Sequence, residues 1–196
     1  MKTKDITQCA LFVAIIAIGA FIRIPIPYIP FTLQITFVSL AGILLGSRRG
    51  ALCCLVYMIL GLVGLPIFTQ GGGIGYLIQP TFGYIIGFIF GAWITGFIIE
   101  RDVNPSYGRL IIASLIGMSI IYACGLIYFY CIANFYLALS LSVWYIVFYG
   151  FLAVVPGNLV CMFFAAYLAK RLLPITRKSF SASPRRGEKD NIKLSK

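Results

Sequence analysis

The chain has 196 residues, 61% of them apolar, with sixteen basic side chains, five acidic ones and no histidine; its mean hydropathy is +0.99. Soluble domains hold about 45–50% apolar residues, so this composition excludes an ordinary soluble domain and points to a chain dissolved in lipid. The formal charge of +11 is concentrated, with nine basic residues between Lys170 and Lys196, which reads as a solvated tail that also favours anionic lipid rather than as a nucleic-acid surface.

A helical crossing of the hydrocarbon core needs roughly 20 apolar residues, and the runs predict six crossings, over 6–22, 31–46, 50–65, 80–99, 109–132 and 145–172. The first follows MKTK without an A-x-A-like cleavage site, so it is read as a helix and not as a removed signal. On it Ala10 and Ala14 lie one turn apart, a small-residue spacing that suits close contact with a second helix, in this chain or in a partner. The prolines of RIPIPYIPF (Pro25, Pro27, Pro30) forbid a helix and predict a stiff extended lip. The second and third crossings are short, so each either crosses with little tilt or ends inside protein; GSRRG joins them as a tight turn.

An uncharged connection follows, GLPIFTQGGGIGYLIQPTFGY over 64–84. In the fourth crossing Gly83, Gly87 and Gly91 recur every fourth residue and predict helix packing within the chain. ERDVNPSYGR is a charged turn, whereas the fifth connection, around Asn134 to Ser142, is barely polar and reads as partly embedded. The division expected is a membrane domain over 1–174 and a basic, disordered tail over 175–196.

Six crossings put both termini on one side of the membrane. Fifteen of the sixteen basic residues fall on that side and only Arg23 on the other, so the excess of positive charge predicts cytoplasmic termini and an outward-facing 64–84 connection.

The inventory of reactive groups is thin. The five acids (Asp5, Glu100, Asp102, Glu188, Asp190) lie in turns or tails, leaving general acid–base chemistry without a player and an ion-coupled pump without an embedded charge. The six cysteines form no C-x-x-C pair; without histidine they read as core thiols, with no metal site and no cofactor. What remains is binding. Glycines permit left-handed backbone and close approach of a ligand to N–H groups. Gln70, Tyr76 and Gln79 add neutral polar groups, and Phe68, Phe82 and Tyr84 add flat walls, as suits a small, mostly apolar ligand with a few polar atoms.

PFTLQ, LLGSRRGAL, YMILGLVGLPIFTQGGGIGYLIQPTFGYIIGF and VPGN closely resemble the BioY family, the biotin-specific capture subunits of energy-coupling-factor transporters. The resemblance extends over about residues 6–170. It implies an all-α integral membrane protein of six helices with an outward-facing pocket capped by loops, and no catalysis. It implies a transmembrane coupling protein and two cytoplasmic ATPases as partners, with Ala10 and Ala14 matching the family's docking pattern on the first helix. The ligand contacts it implies are Gln34, the loop from Gln70 through Gly71, Gly72, Gly73 and Gly75 to Tyr76, and Tyr84 and Asn158; the wall residue Phe68 completes the expected site.

One departure is marked: relatives typically read P-G-D with a lysine three residues on, where this chain has Pro156, Gly157, Asn158 and Cys161. Losing acid and base together keeps the site neutral, and Asn158 can still both donate and accept. The ligand's carboxylate would then fall to loop N–H groups, to Arg23 or to tyrosines, and a biotin relative such as dethiobiotin stays open as the ligand. Two other classes remain: a membrane scaffold whose glycine faces bind other helices, and a membrane enzyme, for which no embedded acid, base or metal site is found.

Overall fold

The prolines and the long apolar runs divide the chain as the sequence predicts, into an extended lip and six helical segments. A computed structural model describes residues 3–26, 28–102 and 104–181. Helix α1 spans Thr3–Phe21; strands β1 (Arg23–Ile24) and β2 (Phe31–Thr32) follow, then α2 (Gln34–Leu45), α3 (Ser47–Leu62), a 3₁₀ turn (Ile74–Ile78) and α4 (Phe82–Glu100). Helix α5 (Tyr107–Cys131) continues into a π turn at Ile132–Tyr136, and α6 (Val143–Val147), a second π turn (Phe148–Leu152) and α7 (Val155–Ser181) form the sixth segment. The strands pair antiparallel, Arg23 opposite Thr32 and Ile24 opposite Phe31. That hairpin takes Phe31 and Thr32 out of the second apolar run, so α2 begins three residues later than predicted.

Among the described residues, three segments are long and apolar enough to cross a membrane: Phe82–Glu100, Tyr107–Tyr136 and Val143–Pro174. The 12 residues of α2 rise only about 18 Å against a hydrocarbon core of about 30 Å. Eleven of its positions are buried, so this helix is enclosed by protein rather than bathed in lipid. The last helix runs past Pro174 to Ser181, so position 175 does not end it; residues 182–196 of the predicted tail lie outside the described residues.

Helix α4 meets α5 through its glycines. A Cβ at Gly83 would sit 2.2 Å from Tyr128 Cβ, at Gly87 2.9 Å from Ile121 Cα, and at Gly91 2.5 Å from Ile121 Cγ1. Only a bare backbone allows that approach, so the spacing seen in the sequence serves packing inside the chain.

Charged groups gather at the end that carries the N-terminus. Asp5 pairs with Arg49 at 3.4 Å and Asp102 with Arg109 at 3.3 Å, and Lys170 donates to Asn104 Oδ1 at 2.8 Å and to the Pro105 carbonyl at 2.6 Å. Glu100, at the end of α4, accepts from the Ser47 N–H at 2.9 Å and the Ser47 hydroxyl at 2.7 Å. It thereby caps the exposed donors at the start of α3 with a negative charge. Gly46 makes room for it: φ is 85°, and a Cβ there would meet Glu100 Oε1 at 2.1 Å. Arg23 lies beyond the other end of α1.

Candidate functional site

At the end away from the ion pairs, the lip, the 64–84 connection and the starts of α2, α4 and α7 surround a chamber whose inner wall is the middle of α5. The space between its walls, counting the open mouth, is about 460 Å³. Among the described residues, no lining side chain is acidic or basic.

The deepest polar group comes from VPGN. Pro156 sits in the first turn of α7, where its missing N–H has no helical acceptor to disappoint. Gly157 lets that turn close on the lip, since a Cβ there would sit 2.6 Å from the Phe31 ring. Asn158 is then fully enclosed, 2% exposed. Its Nδ2 donates to Tyr122 Oη at 2.8 Å and to the Val154 carbonyl at 3.3 Å. A carbonyl only accepts, which identifies this atom as the amide nitrogen. Oδ1 is buried and has no hydrogen-bond partner among the described residues. An acceptor left in that state costs about 1–3 kcal/mol. Tyr122 accepts from Asn158 and keeps its own proton to donate. An acceptor and a donor thus sit side by side on neighbouring chamber residues.

Gln34 opens α2 and ties three elements to the lip. Its Nε2 donates to Tyr57 Oη at 2.7 Å, Tyr57 donates to the Ile67 carbonyl at 2.8 Å, and Thr32 Oγ1 reaches Gln34 Oε1 at 3.4 Å. Tyr76 Oη bridges Thr69 Oγ1 at 2.8 Å and Thr81 Oγ1 at 2.9 Å. Tyr84 donates to the Gly150 carbonyl at 2.8 Å, inside the second π turn, where the widened register frees carbonyls. At the rim, Arg23 Nη1 donates to the carbonyl of Thr69, fastening lip to cap and leaving a guanidinium beside the mouth.

Of the residues singled out in the sequence, the chamber wall gathers Gln34, Tyr76, Tyr84 and Asn158. Phe68, Gln70, Gly71, Gly72, Gly73 and Gly75 lie outside it, for a structural reason. Phe68 is a buried anchor, seated on Gly61, where a Cβ would meet its ring at 2.0 Å, with the Tyr76 ring centroid 4.5 Å away. The glycines fold the chain over that anchor. Phe68 and Gly71 exchange backbone hydrogen bonds, and the Gly73 N–H donates to the Gly61 carbonyl at 2.7 Å. Gly71 and Gly73 have φ of 114° and 97°, a left-handed backbone that side chains resist. Gln70 and Gly75 face outward, exposed. The glycine run therefore roofs the chamber and holds Thr69 and Tyr76 in its wall.

Sequence reasoning missed Tyr122, Thr32, Thr69 and Thr81, all in the wall. Thr32 and Thr81 stood within the motifs PFTLQ and QPTFGY, but Tyr122 carried no signal. Ala10 and Ala14 are exposed on the outer face of α1, beside exposed Ile6, Leu11 and Ile18. Among the described residues no group of three or more His, Cys, Asp or Glu is placed to hold a metal ion.

A family model described as "BioY family" matches residues 1–178. A probable biotin transporter BioY of Lysinibacillus sphaericus is 44% identical, covering 97% of this chain and 97% of its own. The biotin transporter BioY of Thermotoga maritima is 36% identical over 86% of this chain and 95% of its own. Among solved structures, the S-component for biotin from an ECF-type ABC transporter superposes with a TM-score of 0.76 at 26% identity, covering 87% of this chain and 91% of that one.

Proposed function

The chain belongs to the BioY family, and from that premise we propose that it captures biotin at the outer face of the cell membrane as the substrate-binding subunit of an energy-coupling-factor transporter. The observation that carries the reading is the enclosed pair of Asn158 and Tyr122, an unmatched acceptor beside an available donor. Biotin's fused ureido ring offers N–H donors next to a carbonyl acceptor. Its N–H bonds to Asn158 Oδ1, and its carbonyl accepts from Tyr122 Oη. The apolar thioether ring packs on Ile85, Phe88 and Val154, and the valerate points to the mouth, where Arg23 supplies a positive charge. With the ureido group neutral and the carboxylate left at the rim, the chamber needs neither an acid nor a base at Asn158 and Cys161.

Residues 1–174 form the capture domain and 175–196 a basic tail, with both termini in the cytoplasm, as fifteen of sixteen basic residues on one side favour. The exposed Ala10–Ala14 face of α1 docks on a transmembrane coupling protein that two cytoplasmic ATPases drive. The chain itself performs no chemistry.

Radiolabelled biotin binding to membranes containing the protein tests this reading. The expected result is sub-micromolar affinity that Asn158→Leu abolishes, with dethiobiotin, which keeps the ureido group, as a weaker competitor. Membranes that retain no biotin above background would overturn it in favour of a scaffold. Stronger competition by dethiobiotin would reassign the ligand.

A further inference from the structure

At the opposite end of the bundle a second concavity opens between the start of α3 and the last turns of α4. It holds about 1040 Å³ of empty space, counting what is open to the surroundings, and its walls include Arg48, Trp93, Phe97 and Glu100. Trp93 and Phe97 are one turn apart on α4, and their rings stack at 5.7 Å between centroids and 18° between planes. Both are substantially exposed, as is Phe90 on the same stripe. One turn further on, the Arg101 guanidinium lies over the Phe97 ring, 4.4 Å from its centroid. The outer face of α4 thus passes from apolar, through stacked aromatic, to cationic within three turns.

The acids beside this groove are already engaged. Both Glu100 oxygens accept from Ser47, and Asp5 pairs with Arg49. Arg48, at the start of α3, lines the groove, is exposed, and has no ion-pair partner among the described residues. Each guanidinium carries five N–H donors in a fork that matches two oxygens of a phosphate.

We propose that this groove binds one anionic glycerophospholipid of the inner leaflet, its phosphate held between Arg48 and Arg101 and an acyl chain lying along Phe97, Trp93 and Phe90. Charge complementarity and the order of surfaces together select that occupant. Aromatic side chains favour the headgroup boundary, and basic pockets at the cytoplasmic ends of helices attract anionic headgroups. A soluble phosphate would match the guanidiniums but leave the aromatic wall bare.

Trp93 provides its own reporter, because the chain has only two tryptophans and Trp144→Phe leaves it alone. In bilayers of phosphatidylcholine and phosphatidylglycerol, quenching of Trp93 by brominated chains of each lipid in turn gives their relative association constants. The expected preference for phosphatidylglycerol is about fivefold or more. Arg48→Gln with Arg101→Gln should bring it to parity, and Arg48→Lys with Arg101→Lys, which keeps the charge, should retain most of it. Soluble glycerophosphoglycerol should not compete. Parity of the two lipids at Trp93 in the parent, a preference that survives the glutamine pair, loss in the lysine pair as complete as in the glutamine pair, or competition by the soluble headgroup would overturn the assignment.

Discussion

The Asn158 amide donates to the Tyr122 hydroxyl across 2.8 Å while its own oxygen, fully enclosed, meets no partner among the described residues. The two residues are 36 positions apart, on α7 and α5. Tyr122→Phe keeps the ring but removes the donor offered to a ligand and the acceptor that Asn158 uses. Biotin affinity should fall roughly 10- to 100-fold, in line with about 1–3 kcal/mol for an unpaired buried group, with little change in fold. Equilibrium binding of radiolabelled biotin measures it; an unaltered dissociation constant would remove Tyr122 from the site.

Two glycines of the cap should behave oppositely. Gly73 has a φ of 97° and donates to the Gly61 carbonyl, so Gly73→Val forces a branched side chain into left-handed backbone at a cost of about 1–3 kcal/mol. The roof should loosen and biotin should dissociate faster. Gly75 meets nothing within 4 Å and is not left-handed, so Gly75→Ala should leave the dissociation rate within about twofold. A filter-binding chase compares the two; equal effects would mean that the cap is not held as described.

Glu100 caps α3 from the end of α4. Glu100→Gln retains the shape but replaces a charged acceptor with a neutral one at a positive helix end, and should lower stability by about 1–2 kcal/mol. Thermal unfolding in mild detergent should shift down by a few degrees, with biotin affinity unchanged because the chamber lies at the far end. A melting temperature equal to that of the parent would show the cap to be idle.

On α1, Ala10 and Ala14 are both exposed. Ala14→Trp should prevent co-purification of the coupling protein while biotin binding by the isolated subunit persists. Loss of both together would place Ala14 in internal packing instead.

The six apolar runs were legible because lipid tolerates little else over such lengths, and Gly83, Gly87 and Gly91 were legible as a packing face because a four-residue spacing puts small residues on one side of a helix. The lip was legible from its prolines, but not the pairing of Arg23 with Thr32 that shortens α2. The glycine run was recognised as a special backbone, but the sequence alone does not distinguish glycines that offer N–H groups to a ligand from glycines that fold a roof over Phe68. Tyr122 was invisible, buried in an unbroken apolar run and given meaning only by Asn158 from another helix. The Gly150 carbonyl was equally hidden, since it becomes available to Tyr84 through a π turn that no motif announces.

The most direct test of biotin capture in this chamber is mass spectrometry of the small molecule released from detergent-purified protein, with Val154→Trp as its counterpart. Val154 lines the chamber and is 3% exposed, so an indole there occupies the space assigned to the ligand. Biotin approaching one molecule per chain from the parent and none from Val154→Trp is the predicted result. Biotin recovered equally from both, or from neither after growth with excess biotin, would contradict it.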